Sequence, residues 1–314
     1  MSALFTPFTL DGLTLPNRIV IAPMCQYSAV DGNAQDWHLM HLGNLALSGA
    51  GMLVIEATGV EPEGRITPAC LGLWSDANEA ALGRVVEGIR KYSDMPLAIQ
   101  LGHAGRKASS ALPWQGGQLI APEAGGWPTQ APSALPQLPH EPAPRVIDAA
   151  GLVRIREAFV AAARRAARIG LDCIELHGAH GYLLHQFLSP LSNQRDDAYG
   201  GSLENRLRFP LEVFDAVRAA FPAGKPVGMR ISATDWVEDG WNPDETVELA
   251  RRLRLPQVPI QHLAYHRQSP RFLDTHQLHL APLCISNKGT LLLGAKGTLL
   301  FGAHIAPLNR ITGV

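Results

Sequence analysis

His177-Gly178-Ala179-His180-Gly181-Tyr182 directly follows Cys173-Ile174-Glu175-Leu176, a short apolar run of β type. Two imidazoles there can donate hydrogen bonds to one carbonyl oxygen, and a phenol two residues on can deliver a proton nearby. The strand ending in this motif is the fourth of five. Upstream lie Arg18–Ala22, Met52–Ala57 and Leu97–Leu101; downstream lies Val227–Ile231. The second is apolar almost throughout, as a parallel strand buried on both faces should be. Helical patterns separate the strands: Trp37–Leu47, Asn78–Tyr92, a run capped by Asp148 and ended by Gly170, Asn205–Ala220, and a run opened by Pro243 and reaching Leu253.

Five β-α units in series predict an α/β fold, a parallel sheet with helical cover. Periodicity alone does not choose between a closed barrel and an open doubly wound sheet. Polar placement favours the barrel. Cys25, Gln100, His177 and Arg230 each sit at or just past the C-terminal end of a different strand, and in a (β/α)8 TIM barrel those ends converge on one site. No G-x-G-x-x-G follows the first strand, which removes the main support for a dinucleotide fold of the doubly wound kind. The segment from Gly102 to Arg145 is rich in Pro and Gly, and so long a stretch without pattern predicts a functional loop.

The chain's 314 residues suit one barrel of about 250 residues with insertions. Apolar residues make up 46% and charged residues 18%, and the net charge of −1 argues against nucleic acid or an anionic membrane as partner. No apolar run reaches the roughly 18 residues of a membrane span, and the N-terminus lacks the basic start of a signal peptide. Cys25, Cys70, Cys173 and Cys284 form no C-x-x-C pair, so the expected compartment is the reducing cytoplasm.

After Arg254 the pattern breaks, giving an expected division into a barrel portion, 1–254, and an atypical tail, 255–314. Five of the twelve histidines fall between His262 and His304. Lys288-Gly-Thr-Leu-Leu-Leu-Gly-Ala295 is followed by Lys296-Gly-Thr-Leu-Leu-Phe-Gly-Ala303, two octets that differ at one position. These are too short for a solenoid repeat. A short duplication or a shifted reading frame accounts for them better than a barrel does, and the barrel is expected to be incomplete or irregular after its fifth unit.

Taken alone, H-x-x-H reads first as two satisfied loop or core histidines. A zinc pair is a second reading, but there is no H-E-x-x-H and no convincing third ligand. The continuation sharpens the reading beyond both: Ser189-Pro190-Leu191-Ser192-Asn193, then Arg195-Asp196-Asp197-Ala198-Tyr199-Gly200-Gly201-Ser202-Leu203-Glu204-Asn205-Arg206. Four more segments accompany it: Asn17-Arg18, Ala22-Pro23-Met24-Cys25-Gln26-Tyr27, Glu56-Ala57-Thr58, and Gln100-Leu101-Gly102-His103-Ala104-Gly105-Arg106-Lys107. Together these resemble the old yellow enzymes, flavin-dependent ene-reductases built on a TIM barrel, and in particular their bacterial xenobiotic-reductase-like branch. The resemblance covers about Leu4 to Leu253.

The resemblance implies FMN as cofactor and NADPH (or NADH) as reductant in a ping-pong cycle. It implies that Pro23, Met24 and Ala57 pack on the flavin ring system, Gln100 hydrogen-bonds its pyrimidine edge, Arg230 sits where charge collects on reduction, and Cys25 tunes the potential. Tyr27 would line the substrate pocket, His177 and His180 would polarise a substrate carbonyl, and Tyr182 would protonate the α-carbon. The implied substrate is a small-molecule enone or similar electrophile; self-association into a homo-oligomer is left open. A phosphate-holding segment after strands seven and eight is also implied, and neither that segment nor its arginine is identifiable in the tail. A partial barrel that binds flavin weakly or only associates with related chains is therefore the competing expectation.

Overall fold

The computed structural model describes residues 2–253, together with the backbone of two short strands at 290–294 and 298–300. The chain begins with a small hairpin, β1 (Phe8–Leu10) and β2 (Leu13–Leu15), closed at Asp11, whose φ of 48° lies in the left-handed region. Then follow β3 (Val20–Ile21), α1 (Asp36–Ala46), β4 (Met52–Gly59), α2 (Asp76–Arg90) and β5 (Leu97–Gly102). After the Pro/Gly-rich segment, which carries β6 (Gln130–Ala131) and β7 (Arg145–Val146), come α3 (Ala149–Arg168), β8 (Cys173–Gly178), α4 (Leu183–Leu188), α5 (Leu203–Ala220), β9 (Val227–Ser232) and α6 (Pro243–Arg252).

Strands β3, β4, β5, β8 and β9 pair in parallel and in chain order. A doubly wound sheet reverses its order at a switch point; this one does not. Consecutive order with all helices on one face is how a barrel is wound. Alternation along each strand divides the core accordingly. Leu53, Ile55, Leu97, Ile99, Ile174 and Leu176 meet helix residues such as Val85, Phe159 and Val213 in one large cluster. Full burial of a side chain like Phe159 stabilises by roughly 1.5–3 kcal/mol. On the opposite face, Met52, Val54, Ala98 and Cys173 pack with Leu10 and Leu15. The N-terminal hairpin thus plugs the end of the sheet away from the site.

The helices start where their caps say they should. Ser75 accepts from Asn78 N–H, Asp148 from Gly151 N–H at 2.7 Å, and Asn242 from Asp244 and Glu245 N–H. Chain close-packing is tight before β4: a Cβ on Gly51 would lie 2.1 Å from the Asn17 carbonyl oxygen, while Gly51 N–H donates to Ile19.

Three expectations need correction. The first strand is two residues rather than the five of Arg18–Ala22, because it is an edge paired only with β4 and turns away after Ile21 toward the site. The Gly102–Arg145 segment is not structureless: it holds three 3₁₀ turns and the β6/β7 pair, tied by Arg145 N–H to the Thr129 carbonyl and Ile147 N–H to that of Ala131. A helix, α4, lies in what reads as a loop.

Beyond α6, β10 (Thr290–Gly294) and β11 (Thr298–Leu300) fall within the twin octets. β10 pairs with β9 antiparallel, Leu292 opposite Arg230, where a regular barrel would place a parallel strand. The remainder of the 255–314 tail, including the place for the phosphate-holding segment, lies outside the described residues.

Candidate active site

The strand ends on the helix-free face bring the motif residues together. His177 is the last but one residue of β8 and is 3% exposed. His180 adopts φ 59°, a left-handed conformation that turns the chain back over β8. Its N–H donates to Ser232 Oγ at 3.0 Å, and Tyr182 N–H donates to the Ala179 carbonyl. The three rings consequently meet: centroids are 5.0 Å apart for His177 and His180, 4.7 Å for His177 and Tyr182, and 6.4 Å for His180 and Tyr182.

Protonation follows from the surroundings. Ala179 N–H donates to His177 Nδ1, which leaves the ring proton on Nε2. Burial holds the His177 pKa well below its usual value, and nearby His180, Arg230, Lys107 and His185 push it the same way. His177 is therefore a neutral imidazole at neutral pH with one N–H to offer. Tyr182 moves upward, from burial first and then from the neighbouring ionisable groups Cys25, Tyr27 and Cys70. It stays a phenol, with its proton, well beyond neutral pH.

Lys107 ends the short 3₁₀ turn Gly105–Lys107 that follows β5. Its Nζ donates to the His180 carbonyl at 2.9 Å and lies 5.0 Å from the Tyr182 ring centroid. It thus braces the turn that holds both residues.

The turn after β3 faces this cluster. Gln26 N–H donates to Glu56 Oε2 at 3.0 Å, and Trp37 Nε1 to Gln26 Oε1 at 3.1 Å. Buried Glu56 also meets His38 Nε2 at 3.4 Å, and the His38 tautomer is set by Gln35 N–H donating to its Nδ1. Glu56 is thus the anchor of the turn carrying Cys25 and Tyr27, a role invisible without the fold. Tyr27 has φ 52° and its ring stands edge-on to Trp114 at 5.6 Å, so the Pro/Gly-rich segment borders the site. The Cys25 thiol is pushed up, by its hydrogen bond with Cys70 and by burial, and stays a thiol. Cys70 receives Thr67 N–H at 3.3 Å. Ala57, Cys70, His103, His177 and Tyr182 line one narrow cleft.

Pro23, Met24, Cys25 and Ala57 are only partly covered, with Met24 39% exposed. Beside them Gln100 and Arg230 are buried, at 1% and 9%. Arg230 donates no hydrogen bond and makes no ion pair among the described residues. A buried guanidinium with unspent donors, a buried amide and a half-open apolar shelf suit a flat, partly anionic heteroaromatic ring.

At the cleft's edge, Glu61 bonds His103 Nε2 at 2.9 Å and pairs with Arg154. Burial pushes the Glu61 carboxyl up, but His103 and Arg154 outweigh it and leave it below the usual carboxylate range. A depressed folded pKa contributes stability that is present above the ordinary carboxylate value and lost as pH falls through the folded one. We expect the wild type to lose more unfolding free energy than Glu61→Gln between neutral pH and about pH 3 in urea titrations. Equal losses would show the carboxylate to be uncoupled from folding.

Comparison with known proteins gives the family. The NADH:flavin oxidoreductase / NADH oxidase family matches residues 3–280. An NADH:flavin oxidoreductase of Gibberella zeae is 47% identical over 263 residues, 79% of this chain and 63% of that protein. An NADPH dehydrogenase of Geobacillus thermodenitrificans is 40% identical over 283 residues, covering 90% of this chain and 78% of the relative. The old yellow enzyme homologue from Zymomonas mobilis superposes with a TM-score of 0.68 at 28% identity, over 81% of this chain and 70% of the other. No helix among the described residues is long and apolar enough to cross a membrane. With 278 consecutive residues matched to one family and the site groups gathered at its strand ends, the chain belongs to the NADH:flavin oxidoreductase / NADH oxidase family, the old yellow enzymes.

Proposed function

We propose that the chain is an FMN-dependent, NADPH-oxidising ene-reductase that reduces the C=C bond of α,β-unsaturated carbonyl compounds. The observation carrying this reading is the convergence of a neutral His177, His180 and a protonated Tyr182 beside a half-open apolar shelf. When bound, the flavin supplies hydride transfer, first from the nicotinamide and then to the substrate β-carbon. Pro23, Met24, Cys25 and Ala57 form its resting surface, and Gln100 and Arg230 bind its polar edge. His177 Nε2–H and His180 hold the substrate carbonyl oxygen and draw electron density from the double bond. Tyr182 holds a proton at Oη and delivers it to the α-carbon. Tyr27, with Trp114 behind it, bounds the substrate on the side of the long segment.

A second reading, a flavin-poor remnant, is favoured by the antiparallel β10 on the β9 edge. The two are separated by a visible spectrum of the purified chain, taken after adding FMN and desalting. A retained flavin band that bleaches anaerobically with NADPH and returns with cyclohexenone supports the enzyme. Folded protein that never holds flavin sinks it.

A further inference from the structure

The helix-free face of β8 reads Cys173, Glu175, His177, and the middle residue has no part in the chemistry above. Glu175 is 4% exposed. A lone carboxylate in a sheet interior is costly, so its neighbours matter. Below it lies an apolar floor of Ala98, Cys173 and Val54. Opposite it in register is Gln100, whose Nε2 donates to Glu175 Oε1. One layer above, Arg230 stands opposite His177 in the register of β8 and β9.

These groups act on the carboxyl in opposite senses. Burial pushes it up; Arg230 and the Gln100 hydrogen bond pull it part of the way back, leaving it above the usual range. Cys173, on the same strand, is held far up by burial and stays a neutral thiol. Arg230 is thus the charged group acting on Glu175, and it belongs equally to the cofactor shelf. An ionised carboxylate is acceptor-only, so it also fixes which end of the Gln100 amide faces inward and turns the carbonyl end toward the site.

The geometry points to Glu175 as a positioning residue and charge counterweight for the flavin's polar edge, one that takes up a proton when the flavin is reduced. The inference rests on the FMN reading above. With oxidised flavin, Glu175 shares the Arg230 charge. A bound flavin would supply the change of charge, since taking up two electrons and one proton would leave its polar edge one negative charge. Arg230 would then be drawn to that edge, and the Glu175 carboxylate would accept one solvent proton to become the acid. The charge around Arg230 is then the same before and after.

The test is the flavin midpoint potential against pH, by anaerobic spectroelectrochemistry on wild type and Glu175→Gln. The glutamine can still accept from Gln100 but cannot titrate. Between mildly acidic and neutral pH the wild-type potential should fall about twice as steeply as that of the variant, two protons per two electrons against one. At neutral pH the variant's potential should lie higher, since Arg230 then serves the reduced ring alone. A purely structural role would change FMN affinity, measured in parallel by fluorescence, and leave the slope alone. Flavin retained with equal slopes overturns the inference only. A wild-type slope of one proton throughout does the same, even if the variant fails to fold. Wild-type protein that holds no flavin overturns it together with the FMN reading.

Discussion

If the proposed mechanism holds, Tyr182→Phe is expected to slow enone reduction by about 10²–10⁴-fold while NADPH reduces the flavin at close to the wild-type rate. The asymmetry is the informative part. On the proposed mechanism, only the step that forms the α-carbon–hydrogen bond would draw a proton from the protein, and phenylalanine keeps the ring contact with His177 while removing the hydroxyl. Because burial raises the Tyr182 pKa, the wild-type rate of that step should stay flat through neutral and mildly alkaline pH. Stopped-flow measurement of the two half-reactions separately, without oxygen, distinguishes these effects. An unchanged oxidative half-reaction in the variant would move the proton source to solvent or to another group.

Much of the architecture was readable from the chain because parallel strands covered on both faces leave dense apolar runs. Met52–Ala57 and Cys173–Leu176 have no competing interpretation once helices with Leu82, Val85, Val86 and Ile89 at helical spacing separate them. The elements that the sequence hides lack that contrast. All six residues of α4 are buried, so Leu183–Leu188 shows no polar face and no amphipathic period. The β1/β2 hairpin has three-residue strands, and β6 and β7 have two; such lengths fall below any pattern. Asp11-Gly12 was the available signal for the hairpin.

The site divides the same way. His177, His180 and Tyr182 are neighbours in sequence, so their meeting needed only a turn. Cys25, Gln100 and Arg230 could be placed at strand ends by counting strands. Glu56, Lys107 and Glu175 act across strands, through contacts that register alone determines. Glu175 did carry a hint, since period two puts it on the face of His177. The face grades from apolar Met52, Val54 and Ala98, beside the plugging hairpin, to Glu175, Arg230 and His177 at the other end. One sheet thereby supplies both a folding core and a polar site, with Glu175 at the boundary.

Arg206→Met should cost about 3–5 kcal/mol in unfolding free energy, the largest stability effect expected of any change outside the apolar core. Arg206 ends the long motif that suggested the family, yet it sits away from the rings of the site. Its guanidinium donates to the Leu188 carbonyl at the end of α4, to the Gly201 carbonyl at 3.2 Å, and to Glu245 in the first turn of α6 at 2.5 Å. Arg206 is 6% exposed in its side chain and Glu245 17%. Methionine fills similar space but strands two carbonyls and a carboxylate. The exposed pair Arg84–Asp36 is the control, and Arg84→Ala should leave stability within scatter. Adding Glu245→Gln to Arg206→Met should recover part of the loss, because the unpaired charge is then gone. Urea midpoints for the three variants decide it: a loss below about 1 kcal/mol for Arg206→Met would mean that α6 does not depend on this link for its place against α5.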